Sequence, residues 1–423
     1  MKRVAFILDA INTLGLYKSI ASVYKKNGWD VVFVDISQIR NNTPSEYLKN
    51  EITALKYQLF TPKRIVYKNN TRLFNKNADH ILKHIKPNLI FVPYEFDIYF
   101  FIVNLAKFYG IKTVHIQHGL WGGGKFKANY NINLDSLKDK ELNRLNLVSI
   151  IKFKLLNYSY RMLSIFFKKK YRIVEKKYKH YISRKLNFTL TADYIVVPSE
   201  YYKNQIKNEV PSFNSKNILN PGYLRGDILF KDNHDIYTKF VLPKGKKIVS
   251  YFYSPFHLYP NRFKEKYSSN KALEEFISAC NQIIGVYKIH ILVLMHPTCL
   301  HYSSTLDEYL KKSFDNFSIN HSMDSQGSIY KNSILIGGVK SGALTEASLF
   351  NRNIIRQDYV LDKNPEPFQI DFNLVKSVTS KKSMEATIAG LDLIVKKKEK
   401  KENYFLETSD GNCGQRLFKL LEK

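Results

Sequence analysis

Short apolar segments that alternate with helix-like segments are the feature that most constrains the fold of this chain. In the first half, strand-like runs occur at Arg3–Leu8, Asp30–Asp35, Asn88–Pro93, Lys112–Gln117 and Asp193–Pro198. In the second half, they occur at Lys247–Tyr253, Ile289–Met295, Ser333–Gly337 and Asn353–Arg356. Helix-like sequence lies between them, as at Leu14–Asn27, Ser199–Lys207, Lys271–Tyr287 and Gly342–Phe350. Continuous apolar strands separated by helices indicate parallel sheets that are buried on both faces.

The length of the chain predicts two such sheets rather than one. A chain of 423 residues exceeds what one ordinary core accommodates, and 44% of the residues are hydrophobic, which suffices for two. The segment Asn220–Asp227 (NPGYLRGD) is rich in turn-forming residues and marks a hinge between the halves. We therefore predict an α/β protein with Rossmann-like domains at 1–225 and 226–402, whose ligands bind beyond the carboxyl ends of the strands.

One segment, at about 140–188, interrupts this alternation. Between Leu142 and Lys185 there is no strand-like run, apolar residues recur at helical spacing, and the sequence contains Lys168-Lys169-Lys170. A helix with a broad apolar face and basic flanks can lie in the interface of an anionic membrane. The alternative is a helical insertion that packs on the first domain and exposes its lysines to solvent.

Cysteine content, hydropathy and charge exclude several classes of protein. Three widely separated cysteines, without a CxxC pair, argue against a disulfide framework or a zinc site and suit a reducing cytoplasm. The chain lacks a signal-peptide pattern and an uncharged apolar run of the length that spans a membrane. Its net charge of +29 suits phosphorylated small molecules, anionic lipids or nucleic acid. We expect no nucleic-acid partner, because the lysines are dispersed and no RNA- or DNA-binding motif is present.

A histidine follows the strand-like run that ends at Gln117. His118 and Gly119 lie at the predicted edge of the sheet, where imidazole can accept a proton from an attacking hydroxyl. A structural loop histidine is the alternative. Asp9 and Glu95 also follow strand-like runs, so either carboxylate could serve as the base instead.

A second histidine ends the run ILVLM in the second half. His296 precedes Pro297, which directs the chain away from the strand and leaves the imidazole at the sheet edge. From this position the imidazole could donate a hydrogen bond to a phosphate oxygen. A histidine that only stabilises the turn is the alternative.

A glycine-rich turn between a strand and a helix follows in the sequence GGVKSGALTEA. Ser341 and Gly342 open the predicted helix, and Lys340 adds a positive charge beside an N-terminus that suits phosphate. Thr345 and Glu346 lie on its first turns, where the Glu346 carboxylate could accept hydrogen bonds from ribose hydroxyls. The GxxxxGK[ST] order of a Walker A loop is absent, and an ordinary strand–helix junction remains the alternative.

Taken in order, these motifs resemble the GT-B glycosyltransferases of bacterial surface polysaccharide synthesis. The group includes CDP-glycerol glycerophosphotransferases and bacterial sialyl- and Kdo-transferases of the capsule and teichoic-acid type. The resemblance rests on the following stretches: Ile116–Gly119 (IQHG), Val197–Tyr201 (VPSEY), Asn220–Asp227, Lys247–Pro255, Leu294–Pro297 (LMHP), Ser333–Gln357, and Ser409-Asp410-Gly411 with Arg416. It implies two Rossmann-like domains facing a cleft, with an acceptor domain at 1–225, a helical insertion within it, a nucleotide-donor domain at 226–402, and a helix at 403–423 that crosses back to the first domain.

The resemblance also implies roles for individual residues. His296 and Pro297 would contact the donor phosphate, and Lys340, Ser341, Gly342, Thr345 and Glu346 would hold the nucleotide. His118 would be the base beside the reacting centre, with Gln117, Gly119 and Arg225 on the acceptor or hinge side. The expected reaction is an inverting transfer of a sugar or polyol-phosphate that needs no metal and no cofactor beyond the nucleotide-activated donor, with CMP or CDP favoured over UDP. The acceptor would be a glycan or lipid-linked glycan, which places the enzyme in the cytoplasm or peripherally on the inner face of the membrane.

An alternative enzyme class shares this two-domain fold. UDP-N-acetylglucosamine 2-epimerases have a similar SG…EA nucleotide site. However, their sequences follow a pattern like HxEAGLR at the place where this chain has HIQHGLW. Gln117 replaces the expected acid, which disfavours the epimerase.

Overall fold

The architecture comes from a computed structural model of the 423-residue chain. The structure describes residues 1–8, 11–37, 46–62, 71–93, 97–116, 191–254, 256, 263–282, 288–296, 299, 302–320, 325–339, 342–350, 353–362, 375–391 and 410–422, with parts of 171–177.

The first sheet has seven parallel strands in the order β3-β2-β1-β4-β5-β6-β7. Their bounds are β1 Arg3–Leu8, β2 Asp30–Asp35, β3 Gln58–Phe60, β4 Leu89–Val92, β5 Lys112–Ile116, β6 Tyr194–Val196 and β7 Ile218–Leu219. Alternate residues of β1 enter two different cores, with Phe6 on one face and Ile7 on the other, and both are fully buried. The sheet is therefore covered on both sides, which explains the continuous apolar sequence of its central strands.

The second sheet has six parallel strands in the order β10-β9-β8-β11-β12-β13. Their bounds are β8 Lys247–Tyr253, β9 Ile289–Met295, β10 Phe317–Asn320, β11 Ser333–Gly338, β12 Ile354–Gln357 and β13 Lys376–Val378. The longest pairing joins β8 and β9 over seven residues, from Lys247 opposite Ile289 to Tyr253 opposite Met295. Two parallel sheets with intervening helices confirm the predicted α/β architecture.

Helices connect the strands of both sheets. In the first half they are α1 Ile11–Lys26, α2 Glu46–Ala54, α3 Thr71–Ile85, α4 Asp97–Phe108 and α5 Glu200–Glu209. The second half contains α6 Gly226–Lys231, α7 Ile236–Lys239, α8 Ser269–Asn281, α9 Ser303–Leu310, α10 Gln326–Asn332, α11 Gly342–Ala347, α12 Lys381–Ala389 and α13 Cys413–Glu422. Within the described part of the chain, none of these helices combines the length and the apolar character that crossing a membrane requires.

The last helix, α13, packs against the first helix rather than against the second sheet alone. The Phe418 and Tyr24 rings lie edge to face with centroids 4.9 Å apart, and Leu417 is fully buried in the same core as Phe6. Asp227, at the start of α6, accepts hydrogen bonds from the first two backbone N–H groups of α13, at 2.9 Å and 2.8 Å. A buried carboxylate therefore caps a helix that lies 186 residues further along the chain.

Candidate functional site

The strand order places a crevice at the carboxyl edge of the second sheet. The chain forms β8 first, then adds β9 and β10 on one side before returning to add β11, β12 and β13 on the other. The connections that leave β8 and β11 therefore run to opposite sides of the sheet, and this switch point is where parallel sheets bind ligands. His296 follows β9 and Glu346 lies on the helix after β11, so both belong to this edge.

His296 occupies a turn that begins directly after β9. Its backbone carbonyl accepts a hydrogen bond from the backbone N–H of Cys299 at 2.8 Å, which bends the chain away from the strand. The side chain is half-buried, and burial lowers the pKa of His296 below its usual range. The imidazole is therefore neutral at pH 7 and carries one N–H donor and one acceptor nitrogen.

Glu346 is the centre of a buried hydrogen-bonding cluster. The Tyr223 hydroxyl donates to Oε1 through a short contact, and the Arg225 Nε lies 3.0 Å from the same oxygen. The Tyr330 hydroxyl donates to Oε2 at 3.3 Å. Only 6% of the Glu346 side chain is exposed, so the two hydroxyl donors and the adjacent guanidinium charge compensate for the loss of hydration that burial would otherwise cost.

Arg225 supplies the positive charge of this cluster. Burial alone would lower the pKa of Arg225, but the adjacent Glu346 carboxylate raises it. The Arg225 Nη2 also donates to the Gln326 side-chain oxygen at 2.6 Å. Burial first, and the Glu346 charge second, raise the pKa values of Tyr223 and Tyr330 well above their usual range. Both tyrosines therefore keep their protons and donate hydrogen bonds to Glu346.

The other predicted nucleotide-binding residues within the described ranges lie on α11. Gly342 is exposed, and a Cβ added there would have no atom within 4 Å. Thr345 is fully buried, and its backbone carbonyl accepts the Ser348 hydroxyl at 2.6 Å. Gly342, the first residue of α11, is thus exposed, while Thr345 and Glu346 are buried.

The first two glycines of the predicted turn belong to the strand. Gly337 and Gly338 are both in β11, which ends at Gly338, one residue beyond the predicted end at Gly337. A Cβ on Gly337 would overlap the ring of Phe276 from α8. Gly337, which the sequence predicted as the last residue of this strand, therefore allows a helix to pack closely on the sheet.

Several predicted site residues lie outside the described residues. They are Asp9, Glu95, Gln117, His118, Gly119, Pro297, Lys340 and Ser341. The described part of the site therefore consists of His296, Gly342, Thr345 and the cluster around Glu346, which includes Arg225.

One group of potential metal ligands occurs among the described residues, at Asp227, Asp410 and Cys413. Both Asp227 oxygens accept backbone N–H groups, and the Arg416 guanidinium lies 2.8 Å from Asp410 and 3.1 Å from the Cys413 sulfur. Burial raises the pKa of the Cys413 thiol, which keeps it protonated. The group caps and anchors α13, with the guanidinium as its cation.

Tyr223, Gln326 and Tyr330 are cluster residues that sequence reasoning missed. Tyr223 lies two residues before Arg225 in the predicted hinge. Gln326 and Tyr330 are four residues apart on α10, a spacing that puts both on one helix face. This spacing could have indicated a polar helix face, but not that this face contacts Arg225 and Glu346.

Comparison with known proteins identifies similar folds but no sequence relative. No family model matches the chain, and no curated protein matches its sequence. The UDP-GlcNAc 2-epimerase of Methanocaldococcus jannaschii superimposes with a TM-score of 0.63 at 14% identity, over 99% of both chains. The UDP-GlcNAc 2-epimerase of Neisseria meningitidis, bound to UDP-GlcNAc, gives 0.59 at 13% identity over 100% of both chains. The wall teichoic acid polymerase TagF gives 0.52 at 14% identity, over 100% of this chain and 88% of TagF. At these identities the comparison shows the fold, which is GT-B.

Proposed function

We propose that this chain is a GT-B glycosyltransferase of cell-surface polysaccharide synthesis. It would transfer a sugar or polyol-phosphate from a nucleotide-activated donor to a glycan or lipid-linked acceptor, with inversion and without a metal ion. The observation that carries the proposal is the position of His296 and Glu346 at the carboxyl edge of the second sheet, beside the switch point between β8 and β11.

In the proposed reaction, the donor nucleotide occupies this edge of the second sheet. The neutral imidazole of His296 donates a hydrogen bond to a donor phosphate, and Lys340 and Ser341 add a cation and a hydroxyl from the sequence that precedes α11. Glu346 accepts a hydrogen bond from the ribose. These groups stabilise the negative charge that develops on the leaving nucleotide. In metal-dependent enzymes, a metal ion has this role.

The acceptor hydroxyl would approach from the first half of the chain. His118 is the proposed base, and Glu95 and Asp9 are the alternatives, because each follows a strand-like run of the first half. The hydroxyl oxygen attacks the activated carbon or phosphorus of the donor as its proton passes to the base. Gln117, Gly119 and Arg225 would lie on the acceptor or hinge side.

An epimerase is the second candidate, because the superposition with the Methanocaldococcus jannaschii epimerase has a higher TM-score than the one with TagF. That protein and its Neisseria meningitidis counterpart are named for action on UDP-GlcNAc. Against this candidate, Gln117 stands where the epimerase pattern has an acid that proton abstraction from carbon would use.

Nucleotide screening followed by a two-arm assay tests the proposal. At a ligand concentration of about 100 times Kd, a bound nucleotide should stabilise the protein by about 2.7 kcal/mol, so CMP, CDP, UDP, GDP and dTDP are ranked by thermal shift. The corresponding nucleotide-sugars are then incubated with and without a lipid-linked glycan fraction. A glycosyltransferase releases nucleotide only when the acceptor is present. In a parallel incubation in D2O without an acceptor, deuterium incorporation at C2 of UDP-GlcNAc would instead establish the epimerase.

A further inference from the structure

Two of the three groups that hold Glu346 come from the segment that connects the two sheets. Tyr223 and Arg225 lie between the end of β7 and the start of α6, whereas Glu346 and Tyr330 lie on helices of the second half. Tyr223 and Glu346 are 123 residues apart in the sequence. The orientation of this carboxylate therefore depends on where the connecting segment lies.

The connecting segment is itself anchored on its other side by α13. The Arg416 Nε donates to the Pro221 carbonyl at 2.7 Å, and Asp227 accepts the N–H groups of Cys413 and Gly414. Tyr223 and Arg225 lie between these anchor points in the sequence. Their hydroxyl and guanidinium groups are thus presented to Glu346 from a supported backbone.

The partners of Glu346 are distributed unequally over the two carboxylate oxygens. Oε1 accepts the Tyr223 hydroxyl and forms an ion pair with Arg225, whereas Oε2 accepts only the Tyr330 hydroxyl among the described residues, at 3.3 Å. A carboxylate offers about four acceptor positions, so Oε2 retains capacity for one more hydrogen bond. A side-chain carboxylate rotates readily about its last bond, and the Tyr223 hydroxyl and the Arg225 charge beside Oε1 fix that rotation.

We propose that Arg225 and Tyr223 are positioning residues of a ribose subsite, which orient Glu346 so that Oε2 accepts a hydrogen bond from a ribose hydroxyl. This inference rests on the proposed function, in which Glu346 contacts the nucleotide ribose. Arg225 and Tyr223 do not themselves touch the ligand. They act by fixing the plane of the carboxylate before the nucleotide binds.

Discrimination between a nucleotide and its 2′,3′-dideoxy analogue tests the inference. The Kd values of UDP, CDP and their dideoxy analogues are measured by titration calorimetry, and the discrimination ratio is Kd of the analogue divided by Kd of the nucleotide. We expect a ratio of about tenfold or more for the tighter-binding nucleotide, because a hydrogen bond to a charged acceptor is lost. Glu346→Gln, Arg225→Lys and Tyr223→Phe should each reduce this ratio by at least about threefold.

Tyr251→Phe is the matched control. Tyr251 is buried in the same half, and its hydroxyl donates to the Gln357 side-chain oxygen at 2.8 Å, so the variant also loses one buried hydroxyl. It should keep the wild-type ratio. Tyr223→Phe removes a single oxygen atom, so it decides the question if Arg225→Lys does not fold, as judged by circular dichroism.

Each outcome of the titrations bears on a defined claim. A wild-type protein that binds no nucleotide overturns the proposed function and this inference together. Binding without discrimination leaves nucleotide binding in place and overturns the ribose subsite. Wild-type discrimination that is lost in Glu346→Gln but retained in Arg225→Lys and Tyr223→Phe, with both Kd values raised equally, shows a purely structural role and overturns only the positioning assignment.

Discussion

At the scale of single residues, the buried His290 of the second sheet makes the stability of the protein depend on pH. The side chain lies on β9, is 4% exposed, and its Nε2 lies 2.8 Å from the Ser318 hydroxyl. The Nδ1 atom is buried without a hydrogen-bond partner among the described residues. Burial, followed by the nearby charge of Lys246, lowers the pKa of His290 from 6.5 to about 4. The folded protein therefore holds this imidazole neutral at pH values where the unfolded chain protonates it.

This depressed pKa predicts that stability falls as the pH is lowered. Above the unfolded pKa both states are neutral and His290 contributes no pH dependence. Below it the unfolded chain binds the proton first, so the free energy of unfolding should fall by about 2 kcal/mol between about pH 7 and about pH 5. Urea unfolding of wild type and His290→Gln at several pH values measures the slope.

The comparison depends on slope rather than on absolute stability, since His290→Gln also changes packing. The variant should lose this part of the slope, whereas His84→Gln should keep it, because His84 is exposed and stacks on the Phe60 ring at 4.4 Å. Equal slopes for all three proteins would contradict the assignment to His290.

The positions of His296 and Glu346 could be predicted from the sequence, but the partners of Glu346 could not. Both residues follow strands whose apolar runs are visible in the sequence, so their edge of the sheet follows from chain order alone. Tyr223 reaches Glu346 across 123 residues, and this proximity is a product of tertiary packing. No local spacing encodes such a contact.

At the scale of elements, β11 and α8 pack closely because Gly337 of β11 has no side chain. Gly337 is fully within β11, and the Phe276 ring occupies the space that a Cβ would need. Both residues belong to the layer between the sheet and α8, where Phe276 is fully buried. The glycine therefore sets the distance between this helix and the strand that leads to α11.

Gly337→Ala should destabilise the protein by about 1–3 kcal/mol, because Phe276 must leave its position to make room for the new methyl group. Gly342→Ala is the control, since a Cβ there meets no atom within 4 Å and alanine is the better helix former. Urea unfolding should give a lower midpoint for Gly337→Ala and an unchanged or higher one for Gly342→Ala. Identical midpoints would show that Phe276 does not constrain this glycine.

The central strands were predictable, and the edge strands were not. The sequence ranges predicted for β1, β2, β8 and β9 match the observed bounds, because these strands consist mainly of apolar residues that are buried on both faces. The short strands β3, β10 and β13 contain partly exposed residues and no apolar run of comparable length. Their place in a sheet depends on the neighbouring strand, which their own sequence does not reveal.

At the scale of the whole molecule, we predict that the net charge of +29 allows an electrostatic contact with anionic membranes. We predict that the protein floats with vesicles containing about 30% anionic lipid and not with neutral vesicles, and that about 0.5 M salt weakens the binding by screening. If the basic segment at about 140–188 makes this contact, replacing Lys168, Lys169 and Lys170 with glutamine should reduce the floated fraction severalfold.

The chain provides a control of equal charge. Lys396, Lys397 and Lys398 form another run of three lysines, and replacing them with glutamine removes the same net charge from a different position. That variant should float like wild type. Equal losses in both variants would attribute the binding to overall charge, and equal flotation with neutral vesicles would refute an electrostatic contact.

The return of α13 to α1 also determines how the two halves can move. Because the polypeptide passes from one half to the other before α6 and back again before α13, the halves share two covalent connections, which Asp227 and Arg416 fasten to each other. Two halves joined by a single connection could rotate about any axis, but two connections that are bonded to each other resist twisting and sliding of one half against the other. Relative motion of the two halves should therefore be a rotation about a hinge axis near Pro221 and Asp227, with the greatest displacement in the parts of each half farthest from that axis.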